Sequence, residues 1–273
     1  MTRSFILYTA EDAERNGFLI GRYRAACRAR GFSLKLLLID ECPAGEMILS
    51  LAEKGSFVIN RTRDAELAQR LADAGVTVSN PAEVCRTAND KLLTYERLSG
   101  LVPMLDTVPL ESRDVPPLPY PFVLKPRGGH GGAGVELIEN VAAFLAYTES
   151  FGSAGIIAQP VASERGRDMR VYAVGGRPVF AMLRSSDTDF RSNYCLGGRA
   201  SSVPLREVER DALEIVEAVC AALPIDYCGI DIMRDGGRAI LNEIEDPVGA
   251  RMLYTYTDID PAALHVGRIL ERL

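Results

Sequence analysis

Three acidic side chains near the end of the chain have the chemistry and the spacing to hold a metal ion. Asp231 lies within an apolar run at residues 228–233, and Glu243 and Glu245 lie in or just beyond a second run at residues 239–244. Two such runs separated by turn residues predict paired strands. We therefore expect the three carboxylates to lie close together in the folded chain.

The turn between these strands decides which side chains share a face. If residues 235–237 form a three-residue loop, Arg234 lies opposite Arg238 and Asp231 lies opposite Leu241. Residues of equal parity then share one face of the hairpin, which gathers the three carboxylates there. Such a cluster repels itself unless a cation neutralises it, and a set of oxygen ligands favours Mg²⁺ or Mn²⁺. A solvated hairpin edge with three unrelated acids is the alternative.

A glycine-rich loop in the middle of the chain has the composition of an anion site. Residues 128–134 include five glycines and follow Lys125, the last residue of a predicted strand. Bare backbone N–H groups in such a loop can approach phosphate oxygens, while Lys125 supplies one positive charge and Lys91 could add a second. The loop lacks the Gly-Lys-Ser/Thr of a P-loop. A hairpin tip without a ligand is the alternative, and we expect His130 to be exposed and non-catalytic.

A short segment after the next predicted strand could recognise a purine base. Gln159, Pro160 and Val161 end that strand, and Ala162 follows them. The carbonyl of Pro160 can accept a hydrogen bond from a purine amino group, and the N–H of Val161 or Ala162 can meet a ring nitrogen. The segment is therefore predicted to form a hinge between two lobes.

Two arginines further along are candidates for holding phosphate or carboxylate groups. Arg170 ends the segment 166–170, and Arg191 lies in the segment 189–193. The planar guanidinium group binds such anions through two parallel hydrogen bonds. Taken singly, each arginine could as well belong to a surface ion pair.

The predicted elements that position these residues fall into two patterns. In the first 85 residues, strands at 4–8, 34–39, 57–60 and 76–78 alternate with helices at 16–30 and 65–74, which predicts a parallel α/β layer. A proline-rich linker at 103–121 leads into a region of strands and short helices, which gives an α+β pattern. The strands of this region are predicted at 122–125, 134–138, 156–159, 169–174 and 178–183, and its helices at 142–149, 207–222 and 261–273.

Composition excludes several classes of function. The net charge is −6 and no basic cluster stands out, which disfavours nucleic acid as a partner. No apolar run is long enough to span a membrane, and the N-terminus enters a strand without a signal peptide. The six cysteines form no Cys-x-x-Cys pair, which argues against a zinc site and a disulfide framework. We therefore expect a cytoplasmic protein that acts on small molecules.

The order of these motifs resembles the ATP-grasp superfamily, and within it the RimK-type carboxylate–amine ligases. The resemblance covers about residues 56–273 and is most specific at 166–170, 189–193 and 231–243. It implies a pre-ATP-grasp α/β domain at 1–85, a central lid subdomain at 86–160 and a C-terminal subdomain with the metal site at 161–273. Two β-rich lobes would clasp ATP between them.

The resemblance also implies a role for each matched residue. Two lysines would contact ATP phosphates under the closing loop, the hinge would take adenine, and an aspartate would take the ribose hydroxyls. The implied ATP-binding residues are Lys91, Lys125, Gly128, Gly129, Gly131, Gly132, Gln159, Pro160, Val161, Ala162 and Asp168. Arg170 and Arg191 would neutralise the phosphate and the acyl-phosphate transition state. Asp231 and Glu243 would hold Mg²⁺ or Mn²⁺, while Asn193, Gly197 and Gly198 would lie beside the acceptor pocket.

Such enzymes phosphorylate a carboxylate with ATP and let an amine displace the phosphate, which gives an amide or peptide bond. The substrates are then amino acids or peptides, and the oligomeric state is left open, a homo-oligomer included. Arg61 and Arg63, at the end of a predicted strand, are candidates for binding a substrate carboxylate, with a structural role equally open.

The chain departs from the family pattern at its second metal motif. The family has Glu-x-Asn, and this chain has Glu243-Ile-Glu245 followed by Asp246. Glu245 can still ligate the metal, whereas Asp246 could instead attract the amine substrate, and Arg251 would line the substrate cavity. An ATP-binding regulatory or scaffold protein without ligase activity is the second hypothesis, and a small-molecule kinase on the same fold is the third.

Overall fold

The N-terminal sheet is parallel, as the alternation of strands and helices predicts. The computed structural model describes residues 2–41, 57–186 and 199–273, and its first sheet has the strand order β2-β1-β3-β4. These strands are β1 Thr2–Tyr8, β2 Phe32–Leu38, β3 Phe57–Asn60 and β4 Thr77–Ser79. The central strand β3 is buried along its whole length, because helices cover both faces of a parallel sheet.

Three helices follow the strands of this sheet. They are α1 Ala10–Arg15, α2 Gly17–Arg28 and α3 Ala65–Asp73. The side chains of Thr9 and Asp64 cap the first turns of α1 and α3. Tyr23 of α2 packs with Ile6 on one face of the sheet, and Leu67 of α3 packs with Leu7 on the other. The helices predicted at 16–30 and 65–74 are therefore confirmed, whereas α1 was not predicted.

The second sheet is antiparallel and holds the predicted hinge. Its order is β5-β8-β6-β7, with β5 Val108–Pro109, β6 Phe122–Pro126, β7 Glu136–Ile138 and β8 Ile156–Pro160. Helix α6, Val141–Phe151, covers one face of this sheet through Phe144 and Tyr147. Strand β7 begins two residues later than predicted, after Gly134, whose φ of +67° interrupts the extended backbone.

The third sheet carries the predicted acidic hairpin. Its order is β11-β10-β9-β12-β13, with β9 Arg167–Val174, β10 Arg177–Ser185, β11 Arg199–Val203, β12 Tyr227–Asp235 and β13 Arg238–Glu245. Helix α7, Arg210–Ala222, follows a 3-10 turn at Leu205–Glu207 and packs on this sheet through Ile215 and Val219. The short strands β5 and β11 were not predicted.

The register predicted for the acidic hairpin is wrong, although its consequence holds. Gly236 and Gly237 alone form the turn, with φ of +56° and +77°, and Asp235 pairs with Arg238. Positive φ at both positions fits the short turns that match strand twist. A bulge beyond Asp231 then places Asp231 directly opposite Glu243. Compared with the predicted hairpin, the turn has one residue fewer and the bulge adds one residue to β13. The two differences together keep the parity, so Asp231, Glu243 and Glu245 still share one face.

Several helices pack against elements of a different predicted domain. Helices α4 Ala82–Ala88 and α5 Lys91–Leu98 pack on the third sheet, through Val84, Ala88 and Leu98. The last helices are α8 Arg251–Tyr256 and α9 Pro261–Leu270, and α9 packs against α2 through Val266 and Ile269. Each sheet lies within one of the segments 1–85, 86–160 and 161–273, and these boundaries stay a prediction.

A buried histidine joins α9 to the N-terminal sheet and is expected to make the fold acid-sensitive. His265 hydrogen-bonds with the Tyr23 hydroxyl at 2.8 Å and the Ser79 hydroxyl at 2.6 Å. Burial, with help from Arg61 and Arg272, lowers the pKa of His265 to about 3. Below pH 6.5 the imidazole of His265 is protonated in the unfolded chain but stays neutral in the native state. The free energy of unfolding therefore falls as the pH falls from 6.5 towards 3.

The expected loss is up to about 1.4 kcal/mol per pH unit in that window. Urea unfolding at pH 7 and pH 5 measures it, with His265→Gln as the comparison because it cannot titrate. The variant should be less stable than the wild type at pH 7, and the gap should narrow at pH 5. Parallel losses in both proteins would show that other groups cause the acid sensitivity.

Within the residues that the structure describes, no helix combines the length and the apolar composition needed to cross a bilayer.

Candidate functional site

Two neighbouring cavities bring most of the predicted residues together. The narrow cavity, about 130 Å³, lies between the second and third sheets. The predicted residues that line it are Lys91, Lys125, Gly129, Gly131, Gly132, Gln159, Pro160, Val161, Ala162, Asp168 and Glu243. Gly128 is exposed beside this cavity and does not line it.

The wide cavity, about 520 Å³, opens on the other side of the same residues. Its walls come from α1, α2, the glycine-rich loop, β13 and α8. It shares five residues with the narrow cavity: Lys91, Gly129, Gly131, Arg184 and Glu243. A molecule in one cavity therefore meets a molecule in the other at the glycine-rich loop and Glu243.

The two predicted lysines lie where the cavities meet. Lys125 is only 7% exposed, and burial, opposed by the charge of Glu243 and helped by that of Lys91, lowers its pKa to about 8. Within the described part of the chain, no hydrogen bond or ion pair reaches its ammonium group. Lys91 donates to the backbone carbonyl of Gly129 and lies 3.7 Å from the Glu243 carboxylate. Two neighbouring ammonium groups, one of them without a counter-ion, favour an anion between them.

The glycine-rich loop is tied to the start of α5. Asp90 caps α5 through the amides of Leu92 and Leu93, and Arg127 binds the same carboxylate at 2.6 and 3.0 Å. Lys91 therefore follows a fixed cap and is held under the loop. Gly131 and Gly132 have φ of +63° and +82°, a backbone conformation that glycine adopts without strain.

The predicted hinge runs along the edge of the narrow cavity. Strand β8 pairs with β6 so that Gln159 lies opposite Val123, and the Gln159 amide donates to the Thr107 hydroxyl at 2.7 Å. Apolar side chains line the same cavity, among them Val123, Leu105 and Met233. The narrow cavity therefore has an apolar wall next to the end of β8, which suits a flat heterocycle.

A buried cluster of arginines and acids lies behind the two cavities. Arg170 binds both oxygens of Asp231 at 2.7 Å, and Arg184 binds one of them at 2.7 Å. Arg184 also binds both oxygens of Asp168, and Arg170 forms an ion pair with Glu245. Burial alone would raise the pKa of Asp231, but the two guanidinium groups outweigh it and lower that pKa. Burial raises the pKa of Glu245.

The predicted metal ligands differ in what they offer a cation. The oxygens of Asp231 are occupied by guanidinium groups and Glu245 is paired with Arg170, whereas Glu243 lines both cavities and lies near Lys91. No group of three or more His, Cys, Asp or Glu side chains within the described ranges is arranged to hold a metal. The oxygen donors suit Mg²⁺, and Glu243 alone among the three presents a carboxylate without a guanidinium partner.

The predicted substrate residues separate into three groups. Asp246 and Arg251 line the wide cavity, and burial raises the pKa of Asp246 to about 6. Arg61 and Arg63 line neither cavity: Arg61 is buried and donates to the Val248 carbonyl at 2.7 Å, so it ties β3 to the loop after β13. Arg63 pairs with an acid of α1. Arg191, Asn193, Gly197 and Gly198 lie outside the described residues.

Two parts of the site were missed by the sequence analysis. Arg184 belongs to the buried cluster: it donates to both Asp168 and Asp231 and lies opposite Asp168 on the neighbouring strand. Phe18 of α2 and Tyr254 of α8 form part of the wide cavity, although they are far apart in the chain. His130 is exposed, as expected, and it also lines the wide cavity.

The chain is similar to known proteins in both sequence and fold. A family model described as a RimK-like ATP-grasp domain matches residues 110–269. A probable alpha-L-glutamate ligase from Parasynechococcus marenigrum (strain WH8102) is 28% identical over 98% of this chain and 65% of its own length. A beta-citrylglutamate synthase B from Danio rerio is 30% identical over 68% of this chain and 48% of its own length. The chain thus spans about half to two-thirds of these two relatives.

Solved structures share the fold at low identity. A RimK domain protein from Sphaerobacter thermophilus has a TM-score of 0.75 at 19% identity and covers 98% of this chain and 100% of its own. D-cycloserine synthetase has a TM-score of 0.74 at 17% identity, with 99% of both chains covered. At such identities the likeness shows the fold, and the family model extends over more than half of the sequence. The chain belongs to the RimK-like ATP-grasp family.

Proposed function

We propose that the protein is an ATP-dependent carboxylate–amine ligase that forms an amide or peptide bond through an acyl phosphate. The observation that carries this proposal is the junction of the two cavities. A buried ammonium group, a glycine-rich loop and a carboxylate meet there, between a slot for a heterocycle and a larger space for two small substrates. The family, and relatives described as a glutamate ligase and a citrylglutamate synthase, support a ligase.

In this proposal ATP occupies the narrow cavity. The adenine ring lies against the hinge at residues 159–162, and the phosphates approach Lys91, Lys125 and the amides of the glycine-rich loop. The narrow cavity is smaller than the roughly 300–1,000 Å³ of common small-molecule sites, so ATP entry requires the loop to move away from the third sheet. Asp168 would accept hydrogen bonds from the ribose hydroxyls with oxygens that also accept from Arg184.

Mg²⁺ would be held by Glu243 together with the ATP phosphates, and it would neutralise phosphate charge. Glu245 could join it if Arg170 moved away, whereas Asp231 also accepts a hydrogen bond from Arg184. Because Arg170 lines the wide cavity, an anionic substrate there competes with Asp231 and Glu245 for its guanidinium group.

The reaction then proceeds in two displacements. A substrate carboxylate attacks the γ-phosphorus of ATP, and the bond to the bridging oxygen breaks to release ADP. An amine in the wide cavity attacks the acyl carbon, the C–O bond to phosphate breaks, and the amine loses a proton. Arg170 and Lys125 oppose the negative charge that develops, and positioning supplies the rest of the catalysis.

We further propose that the protein works in the reducing cytoplasm on amino-acid or peptide substrates. The described cysteines Cys27, Cys85, Cys220 and Cys228 are free thiols, which is consistent with a reducing compartment.

Amine-dependent release of ADP tests this function. The protein is incubated with Mg-ATP and pooled amino acids, ADP is measured, and condensed products are sought by mass spectrometry. A ligase sustains ADP release over many turnovers only when both a carboxylate and an amine are present, and it yields a condensed product. ADP release without an amine, with a phosphorylated product, would identify a kinase instead. No ADP release with any substrate would favour a nucleotide-binding scaffold.

A further inference from the structure

The far end of the wide cavity has an aromatic wall. Phe18 is 69% exposed, yet it lines the cavity and meets Tyr254 edge to face at 5.1 Å between ring centroids. Leu19 and Met252 are buried and line the same cavity behind these rings. A large apolar side chain left open to a cavity marks a binding surface more clearly than an isolated exposed residue would.

The wall is held in place by charges on its outer side. The Tyr254 hydroxyl donates to Asp260 at 3.3 Å, and Arg22 binds the same carboxylate at 2.6 Å. The Arg22 guanidinium also lies over the Tyr254 ring, 5.7 Å from its centroid. Tyr254 therefore keeps one orientation and presents its ring with little entropy left to lose on binding.

The charges along the wide cavity are asymmetric. The acids that line the cavity are Glu243, Glu245 and Asp246, and the cations that line it are Arg15, Lys91, Arg170, Arg184 and Arg251. Within the described ranges, each of these cations except Arg251 contacts an acid. An ammonium group is therefore favoured beside Glu243, which has no guanidinium partner, and a carboxylate beside Arg251, with an apolar group between them.

We propose that the wide cavity selects, as the amine substrate, an amino acid with a large apolar side chain. Its carboxylate binds Arg251, its side chain packs on Phe18 and Tyr254, and its amine points to Glu243, beside the place where the acyl phosphate would form. This inference rests on the proposed ligase function. A glutamate side chain would lose its water against the aromatic wall, and Arg15, which also lines the cavity, is already paired with Glu11, so glutamate is disfavoured.

Binding to the full chain loaded with Mg²⁺ and a non-hydrolysable ATP analogue tests the inference. Calorimetric titrations compare phenylalanine, leucine, glutamate and phenylalaninamide. We expect phenylalanine and leucine to bind about tenfold or more tightly than glutamate, because burial of the apolar side chain is the difference. Phenylalaninamide should bind about tenfold more weakly than phenylalanine, because it lacks the carboxylate.

Two exposed residues provide variants that leave the core unchanged. Arg251→Gln should remove the preference for phenylalanine over its amide and leave amide binding unchanged. Phe18→Ala should weaken phenylalanine about tenfold while keeping the preference for the acid. Val115→Ala, which truncates an exposed apolar side chain outside both cavities, is the control and should change nothing. Tighter binding of glutamate, no binding of any amino acid, or unchanged selectivity in both variants would overturn the inference.

Turnover separates this inference from the function on which it rests. ADP release that depends on glutamate and not on phenylalanine or leucine would overturn the inference and leave the ligase in place. The expected binding pattern without ADP release from any substrate would support the cavity's selectivity and refute the ligase. ADP release with phenylalanine that falls in Phe18→Ala and Arg251→Gln through a higher KM, with kcat retained, would support both.

Discussion

Replacing Lys125 by methionine is expected to make the protein more stable and nearly inactive. Lys125 is buried, its pKa is lowered to about 8 although the charge of Glu243 opposes that shift, and no described carboxylate forms an ion pair with it. The desolvated ammonium group of Lys125 therefore destabilises the native state when no anion is bound to it. Methionine has a similar volume without the charge, so we expect the free energy of unfolding at pH 7 to rise by about 1–3 kcal/mol.

The pH dependence of this gain has a defined sign. Below pH 8 Lys125 is protonated in both the native and the unfolded chain, so the full desolvation penalty is present in the wild type. Between pH 8 and the ordinary value of 10.5, the native state loses its proton first, and the penalty disappears. The advantage of Lys125→Met should therefore be greatest below pH 8 and vanish towards pH 10.5.

The loss of activity has a separate cause. The ammonium group that destabilises the free protein would contact ATP phosphates, and its removal should lower kcat/KM by about a hundredfold or more. Urea unfolding and ADP release measure the two effects in the same preparation. Lys35→Met, on an exposed position of β2, is the control and should change neither. A less stable Lys125→Met protein would mean that the ammonium group has a counter-ion in solution.

Local patterns in the sequence predicted the longer helices and strands and the residues that line the narrow cavity, but not the short elements α1, α8, β5 and β11. The glycine-rich loop, the lysine before it and the hinge lie within about forty residues, and each depends on local backbone chemistry. The structure places Lys125, Gly131 and Gln159 along one cavity, as their order along the chain indicated. Strand alternation likewise sufficed for the parallel N-terminal sheet.

The buried cluster could not be predicted because two β-bulges set its registers. Strand β9 turns into β10 with Val174 opposite Arg177, and continuing that register would place Leu183 opposite Asp168. A shift between Pro178 and Phe180 brings Arg184 there instead. One extra residue moves every later side chain to the other face, and no local pattern announces it. The aromatic wall was not predicted because Phe18 and Tyr254 are far apart in the sequence and only tertiary packing brings their rings together.

Asp231 and Glu243 face each other across the hairpin, but we expect the loss of each charge to act differently. Neutral Asp231 should destabilise the fold, whereas neutral Glu243 should leave the fold stable and remove activity. Asp231 accepts hydrogen bonds from Arg170 and Arg184 in a fully buried position. In Asp231→Asn the two guanidinium groups lose the shared negative charge, and an amide NH2 replaces one of the two acceptor oxygens, which should lower the free energy of unfolding by about 3–5 kcal/mol. Glu243 is partly exposed and only 3.7 Å from Lys91, so Glu243→Gln should change stability by no more than about 0.5 kcal/mol.

The sign of the first change distinguishes two roles for Asp231. If it were chiefly a metal ligand held beside other acids, its neutralisation would relieve repulsion and stabilise the metal-free protein. If it anchors arginines, as the distances indicate, neutralisation destabilises that protein. Urea unfolding in the presence of a chelator measures this sign. Glu243→Gln should instead lose about a hundredfold or more in ADP release while staying folded, because the carboxylate that faces both cavities is gone. Full activity in Glu243→Gln would place the metal elsewhere.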